Sequence, residues 1–258
     1  MRLQHGSVEV MNANPVNSVD FSAFAASRRS TRDFRSTPVD PQIIEDLITD
    51  GLTSPSWSNT RPIMVAVATG EVRDQISNDM LKQWDAVSAF RIGGLLGKLK
   101  FAFKPSAWPL SDYNMAKPYP KSLQPRAFRV GKELYSLLGV PRSDKKARDD
   151  QWKNNYRFFG APTVIFVFIH KDLHVFAAND AGMFAQNLML SAHAKGLGAC
   201  AQGAVALWPK TVKKHFDIPE DYNLLYGIAI GYRTDSPVNS FGAHRLTPAE
   251  ITAPVKNK

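Results

Sequence analysis

Three arginines lie within five residues in the segment ASRRSTRDF (26–34), with two hydroxyl side chains between them. Arg28, Arg29 and Arg32 follow DFSAFAAS, which predicts a short helix, so they are expected on a loop after it. Guanidinium groups bind phosphate oxygens in pairs, and the Ser30 hydroxyl adds a donor. The pattern indicates a phosphate site. The alternative is that Arg28 and Arg29 only complement the dipole at the C-terminal end of that helix.

Three further segments carry short polar groups suited to a bound cofactor. They are PSWSNTRP (55–62), GLGACAQG (196–203) and PVNSFGAHR (237–245). Each is weak alone, because such residues are common in turns. The two standard glycine-rich phosphate loops, GxGxxG after a strand and GxxxxGK[ST], are absent from the sequence. A phosphorylated cofactor would therefore have to be held by side chains.

A mixture of helical and extended patterns predicts the elements that position these segments. The segment 40–52 predicts a helix capped by Asp40, and 180–198 predicts a helix with a stripe of small apolar residues. A run that is apolar on both faces, 163–169, predicts a central strand. The remaining predictions are strands at 63–69 and 224–232, a short strand at ACAQ, a helix from Gly70, and a brief basic helix at PKTVKKHF. Because no βαβ alternation occurs, the sequence favours an α+β fold around one sheet.

Two segments stand apart from this pattern. Residues 1–20 are predicted to be a polar leader, and residues 21–258 a single domain. Residues 92–128 are rich in Gly, Pro and aromatics without periodicity, which favours a lid-like excursion over a site.

Composition limits the classes of function. With 258 residues, 44% hydrophobic content and 21% charged content, a folded globular protein is expected. No apolar run reaches the length of a membrane span, no secretory signal is evident, and the single cysteine fits a reducing compartment, so the cytoplasm is predicted. The net charge of +9 leaves a nucleic-acid-binding protein as an alternative from another class, although no known binding module is present.

Taken in order, the four polar segments resemble the nitroreductase family of flavin mononucleotide (FMN) enzymes, particularly its nitrobenzoate-reductase-like members. The resemblance runs from about Phe21 to Ile251 and includes FFGAPTVIFVF at the central strand. It implies a nitroreductase-like α+β fold, with a central mixed or antiparallel sheet flanked by helices. It also implies an intertwined homodimer with two FMN sites at the interface. The small-residue stripe on 180–195 would then lie at that interface, although a helix in the core of one chain would have the same pattern.

The resemblance implies roles for individual residues. Arg28, Ser30, Arg32 and Arg245 would hold the phosphate and ribityl chain, and Arg29 would stabilise negative charge at the pyrimidine edge of the flavin. The other implied cofactor contacts are Pro55, Ser56, Trp57, Ser58 and Asn59 from the partner subunit, Ala201, Gln202 and Gly203 on the other side of the ring, and Asn154 and Arg157. His244 is a further candidate for a cofactor contact because it is next to Arg245. No metal ligand and no catalytic acid or base is assigned.

The function implied by the resemblance is ping-pong reduction of nitroaromatics or quinones, with NADH or NADPH as hydride donor to flavin N5. Reductive dehalogenation, enoate reduction and flavin fragmentation on the same fold remain open. Two positions depart from the usual family pattern. Trp57 stands where a small residue is common, and Arg61 stands where Gln is common. Arg61 is a candidate substrate residue for carboxylated aromatics or the NADPH phosphate, or it only neutralises surface carboxylates. Cys200 is expected to be a packed hydrophobe and His193 a structural residue.

Overall fold

The computed structural model describes residues 17–103, 105–113 and 118–256 of the chain. Its α-helices are α1 (Ser18–Ser27), α2 (Pro41–Leu52), α3 (Gly70–Ile92), α4 (Gly94–Ala102), α5 (Gln124–Leu137), α6 (Lys145–Lys153), α7 (His174–Ala194), α8 (Pro209–Lys213) and α9 (Pro248–Ile251). Its strands are β1 (Ile63–Thr69), β2 (Thr163–His170), β3 (Gly198–Gln202) and β4 (Tyr222–Gly231). Helix α1 begins inside the predicted leader, of which residues 1–16 lie outside the described part.

The strands form one antiparallel sheet in the order β1-β2-β4-β3. Strand β2 is central, as predicted, with Thr163 opposite Thr69 of β1 and Ile230 of β4. Its residues alternate between two hydrophobic cores: Val164, Phe166 and Phe168 face one, and Ile165, Val167 and Ile169 face the other. Because both faces are covered, β2 is apolar throughout. The predicted α+β fold is confirmed.

Helix α2 packs against the second hydrophobic core, the one that contains Ile165, Val167 and Ile169, as its sequence predicts. The Asp40 carboxylate caps it by accepting from the Gln42 N–H at 2.8 Å, and Pro41 takes the first helical position. Gly51 packs against Phe184 of α7, where a Cβ would lie 2.6 Å from the ring. Only glycine allows α2 and α7 to approach this closely.

Helix α7 differs from its prediction in two respects. It begins at His174, six residues before the predicted start. Its stripe of small residues, which the family resemblance placed at a dimer interface, is buried inside this chain: Ala181, Ala185 and Ala192 pack in the core with Leu188. The alternative reading of that stripe, as the core of one chain, is therefore correct.

The 92–128 segment contains more helix than its sequence suggests. It holds α4 and the start of α5, while residues 104 and 114–117 lie outside the described part. The Leu110 N–H donates to the Leu207 carbonyl at 3.1 Å, and the Trp208 indole N–H donates to the Ala107 carbonyl at 3.2 Å. These bonds attach the segment to the turn that follows β3.

Candidate functional site

The arginine-rich loop after α1 is fixed along the free edge of β3. The Thr31 N–H donates to the Ala199 carbonyl at 3.0 Å, and Ser30 forms a bridge with the same residue. Thr31 is buried against Gly198, where an added Cβ would lie 2.8 Å from the Thr31 Cβ. Further on, the Arg35 N–H donates to the Tyr232 carbonyl at 2.8 Å. The loop is therefore fixed to the sheet between Arg29 and Arg32 and again after Arg32.

Positive charges from the two ends of the sequence meet at this loop. Arg28 is half-buried, and its pKa is lowered by burial first and then by the charges of Arg245 and Arg29. Within the described residues, none of Arg28, Arg29, Arg32 and Arg245 forms an ion pair with a carboxylate. Clustered cations without acidic partners are suited to binding a multiply charged anion.

The C-terminal segment is joined to the loop by Asn239. Its side-chain oxygen accepts from the Arg32 N–H at 2.8 Å, and its amide donates to the Asp33 and Thr234 carbonyls at 2.8 and 3.0 Å. The Arg32 guanidinium also lies 5.8 Å from the Phe241 ring centroid. Sequence reasoning missed Asn239, although it lies inside the quoted segment PVNSFGAHR.

Arg29 and Ser30 make local contacts. The Arg29 Nη1 donates to the carbonyls of Ala26 and Arg28, so its guanidinium caps the end of α1, as the helix-dipole alternative predicted. The carbonyl of Ser30 accepts from Arg32 Nη1 at 3.3 Å. The flavin contacts predicted for Arg29 and Ser30 stay predictions.

Gln202, at the end of β3, presents a polar atom without a partner. Its side chain is 2% exposed, and its amide nitrogen donates to the Asn155 carbonyl at 2.8 Å. Its Oε1 is buried and accepts no hydrogen bond from the described residues. A buried orphan acceptor is costly unless a donor from a bound group satisfies it. The neighbouring Ala201 is exposed, and Gly203 begins a 3₁₀ turn.

Asn154 and Arg157 lie on the segment that Gln202 contacts. Arg157 Nη1 donates to Asn154 Oδ1 at 3.1 Å. Asn154, Asn155 and Arg32 line the same cleft of ≈ 510 Å³. Phe158 and Phe159 follow with φ values of 54° and 55°, an unusual conformation for bulky residues that tends to occur at functional sites.

The loop from Pro55 to Arg61 lies elsewhere in the chain, at the N-terminal half of α7. The Trp57 N–H donates to the buried Asp180 carboxylate at 3.0 Å, and the Trp57 ring lies 4.2 Å from that of Phe176. Ser58, Asn59 and Arg61 have positive φ values of 50°, 55° and 47°. Three left-handed non-glycine residues in four positions mark a strained, specifically held loop.

The Arg61 side chain braces this loop. Its Nη1 donates to the Ser54 carbonyl at 2.9 Å, and its N–H donates to Ser56 Oγ at 3.1 Å. In the described part of the chain Arg61 has no ion pair, so nothing there supports the reading that it neutralises surface carboxylates. Its substrate role stays a prediction.

The predicted site residues therefore form two groups at opposite ends of α7. The Ser27 hydroxyl, next to the arginines, lies 2.7 Å from His193 Nε2, whereas Trp57 binds Asp180. Asp180 and His193 are 13 positions apart on α7, which corresponds to about 20 Å of helix. One chain does not bring the Pro55–Asn59 loop to the arginine cluster.

Two other candidates are placed as follows. Cys200 is buried in the first core, and burial raises the pKa of its thiol to about 11, which fits the predicted packed hydrophobe. His244 is exposed beside Arg245, and its contact with a cofactor stays a prediction.

The chain is similar to known proteins over most of its length. The family described as the nitroreductase family matches residues 25–232. A 4-nitrobenzoate reductase of Pseudomonas putida is 30% identical over 224 residues, covering 86% of this chain and 89% of that protein. The FMN and NADPH-dependent nitroreductase NfnB from Sphigopyxis sp. strain HMH superposes with a TM-score of 0.77 at 27% identity, covering 94% of this chain and all of that one. The FMN-dependent NfnB from Mycobacterium smegmatis, solved with NADPH, gives 0.75 at 27% identity over 92% and 98%.

The lengths and hydropathies of the described helices bear on whether any of them could span a membrane. None of them is both long and apolar enough to cross a bilayer.

Proposed function

The chain belongs to the nitroreductase family and has the fold predicted for it, and we propose that it is an FMN-dependent oxidoreductase that uses NADPH to reduce nitroaromatic compounds. The observation that carries this proposal is the convergence of Arg28, Arg29 and Arg245 without acidic partners. A phosphate monoester supplies the charge that this cluster lacks.

Two features of this chain fit FMN: the arginine cluster and the buried side chain of Gln202. Arg28, Arg32 and Arg245 hold the phosphate, and the N–H groups of their loop are fixed against β3. The orphan Oε1 of Gln202 accepts a hydrogen bond from the bound nucleotide. Bound there, FMN would supply the hydride-accepting and electron-transferring chemistry of the reaction. Arg157 and Arg29 supply positive charge beside the flavin. The expected kinetics are ping-pong.

We also propose that the active unit is a homodimer. The Pro55–Asn59 loop and the arginine cluster occupy opposite ends of α7, about 20 Å apart along the helix. A second copy related by a two-fold axis, with its α7 running antiparallel, would bring its loop to this chain's arginines. In support, α1 buries no residue within its own chain, and Trp57 is 56% exposed.

For the acceptor, we propose nitroaromatics that carry an anionic substituent, with quinones as further acceptors. Arg61 lies on the exposed, strained loop and keeps unused guanidinium N–H groups after binding Ser54. A relative, the Pseudomonas putida enzyme, is a 4-nitrobenzoate reductase. A cytoplasmic location is proposed from the single, buried and free Cys200.

The test is spectroscopic and anaerobic. The purified chain should bind FMN in a 1:1 ratio, be bleached at the flavin absorbance by NADPH, and recover its colour on addition of 4-nitrobenzoate. Uncharged nitrobenzene serves as the matched acceptor, and it should give a lower kcat/KM. A protein that does not retain FMN, or whose bound flavin NADPH leaves oxidised, would refute the proposal.

A further inference from the structure

A second basic cleft lies between α5 and α6, next to the cleft at Arg32. It has a volume of ≈ 520 Å³, an apolar lining from α5, and three cationic side chains: Lys132, Arg142 and Arg148. Gly131 and Tyr135 line both this cleft and the one that contains Arg32 and Asn154. The two clefts therefore adjoin along one face of α5.

The two arginines are held in place by aromatic rings. The Arg142 guanidinium lies 4.6 Å from the Phe128 ring centroid, and that of Arg148 lies 5.1 Å from the ring of Tyr135. Arg148 also donates to the Arg142 carbonyl at 3.4 Å. Stacking of this kind orients a guanidinium while leaving its N–H edge free to bind an anion.

The two aspartates that follow Arg148 on α6 are engaged elsewhere. Asp149 is buried and accepts from Ser88 and Trp84, and Asp150 pairs with Lys153 at 3.3 Å. Among the residues that the structure describes, Arg142 and Arg148 have no ion pair. The cleft thus combines an apolar wall with two oriented and uncompensated cations, a lining suited to a nucleoside that carries a phosphate.

We propose that this cleft binds the adenosine half of NADPH, and that Arg142 and Arg148 bind its 2′-phosphate. The inference rests on the proposed function, because the adjoining cleft contains residues assigned to FMN. NADH has a hydroxyl group in place of that phosphate, so these two arginines would determine the preference for NADPH.

Binding of fragments tests the subsite without turnover. In calorimetry on the FMN-loaded protein, 2′,5′-ADP should bind more tightly than 5′-AMP, which lacks the 2′-phosphate. Arg142→Gln and Arg148→Gln should each weaken 2′,5′-ADP by about tenfold and leave 5′-AMP unchanged. Lys146→Gln, an exposed cation of α6 outside the cleft, is the matched control and should change neither. If the double variant, which carries both Arg142→Gln and Arg148→Gln, binds 2′,5′-ADP as tightly as the wild type, the inference is overturned.

Anaerobic flavin reduction separates this inference from the proposed function. In both variants the dissociation constant for NADPH should rise about tenfold, with the constant for NADH and the limiting reduction rate unchanged. Equal constants for NADPH and NADH in the wild-type protein would overturn the subsite alone. Absence of flavin reduction by either nucleotide would overturn the proposed function.

Discussion

Arg28 is electrostatically unfavourable in the unliganded chain. Burial removes part of its hydration, and the charges of Arg245 and Arg29 add repulsion, so its pKa is lowered. A fold that keeps such a group uncompensated carries a cost that a bound anion removes. Binding affinity and stability without ligand should therefore respond in opposite directions when this charge is deleted.

The first prediction concerns Arg28→Gln. FMN affinity should fall by about ten- to a hundredfold, because a charge-assisted hydrogen bond is lost. The Tm without FMN should stay equal or rise, because repulsion with Arg245 is relieved. Fluorescence titration with FMN and thermal unfolding measure the two effects. Arg35→Gln is the control, since that arginine is exposed and pairs with Asp235. A lower Tm with unchanged affinity would show that Arg28 is structural.

The second prediction concerns the Cys200 thiol, whose pKa burial raises from 9.0 to about 11. Above pH 9 the unfolded chain loses this proton and the folded chain keeps it. The free energy of unfolding should therefore fall as pH rises, by up to about 1.4 kcal/mol per unit between the two values. Urea unfolding of wild type and Cys200→Ala at pH 8 and pH 10 isolates this contribution as a difference. An equal pH dependence in both proteins would contradict it.

At the scale of residues, sequence reasoning succeeded where chemistry has a local pattern. Three arginines in five positions and Arg245 were predicted to share one phosphate, and the structure brings Arg28, Arg29 and Arg245 together; binding of a phosphate there stays a prediction. Asn239 was missed because its role lies in bonds to Arg32 and Asp33, more than 200 positions away, and nothing in its neighbourhood encodes them. The side-chain bonds of Arg29 were likewise not decidable from its position.

At the scale of elements, the prediction held where caps and periodicity agreed. Helix α2 has both Asp40 and Pro41 at its start, and β2 has a continuous apolar run. The start of α7 was placed late because its first turns, HVFAAN, have no N-cap side chain and few buried residues. Helix α5 was not predicted: it begins inside the Gly-, Pro- and aromatic-rich segment 92–128, where no periodicity was recognised, and it buries none of its residues.

The third prediction tests the contact between the C-terminal segment and the arginine loop. Asn239→Ala removes the acceptor for the Arg32 N–H and the donor to two carbonyls. The free energy of unfolding should fall by about 2 kcal/mol, and FMN affinity should fall with it, because the segment that carries Arg245 loses its attachment to the arginine loop. Ser240→Ala, which removes only a local bond to Pro237, is the control in both urea unfolding and FMN titration. If stability falls while FMN affinity stays at the wild-type value, the contact made by Asn239 does not contribute to the FMN site.

At the scale of the whole molecule, the position of α7 decides how a complete site can form. The helix separates the arginine cluster from the Pro55–Asn59 loop within one chain, and its stripe of small residues is already used in the core. The face of α7 with Gly182, Met183 and Asn187 lines an open cleft together with Pro55. A two-fold partner on that face would complete two identical sites, each drawing on both chains.

The last prediction follows from the proposed sharing of each site between two chains. The first variant, Arg28→Gln with Arg245→Gln, removes two charges of the arginine cluster. The second, Ser58→Ala with Asn59→Ala, removes two polar side chains of the Pro55–Asn59 loop. Each variant alone should be nearly inactive. After mixing and subunit exchange, half of the dimers are mixed and each regains one intact site, so about a quarter of wild-type activity should return. Nitroreductase rates and FMN content measure the recovery, with size-exclusion chromatography of a tagged partner to verify exchange. Two different cluster variants mixed in the same way should recover nothing. If exchanged dimers of complementary variants stay inactive, both halves of each site belong to one chain.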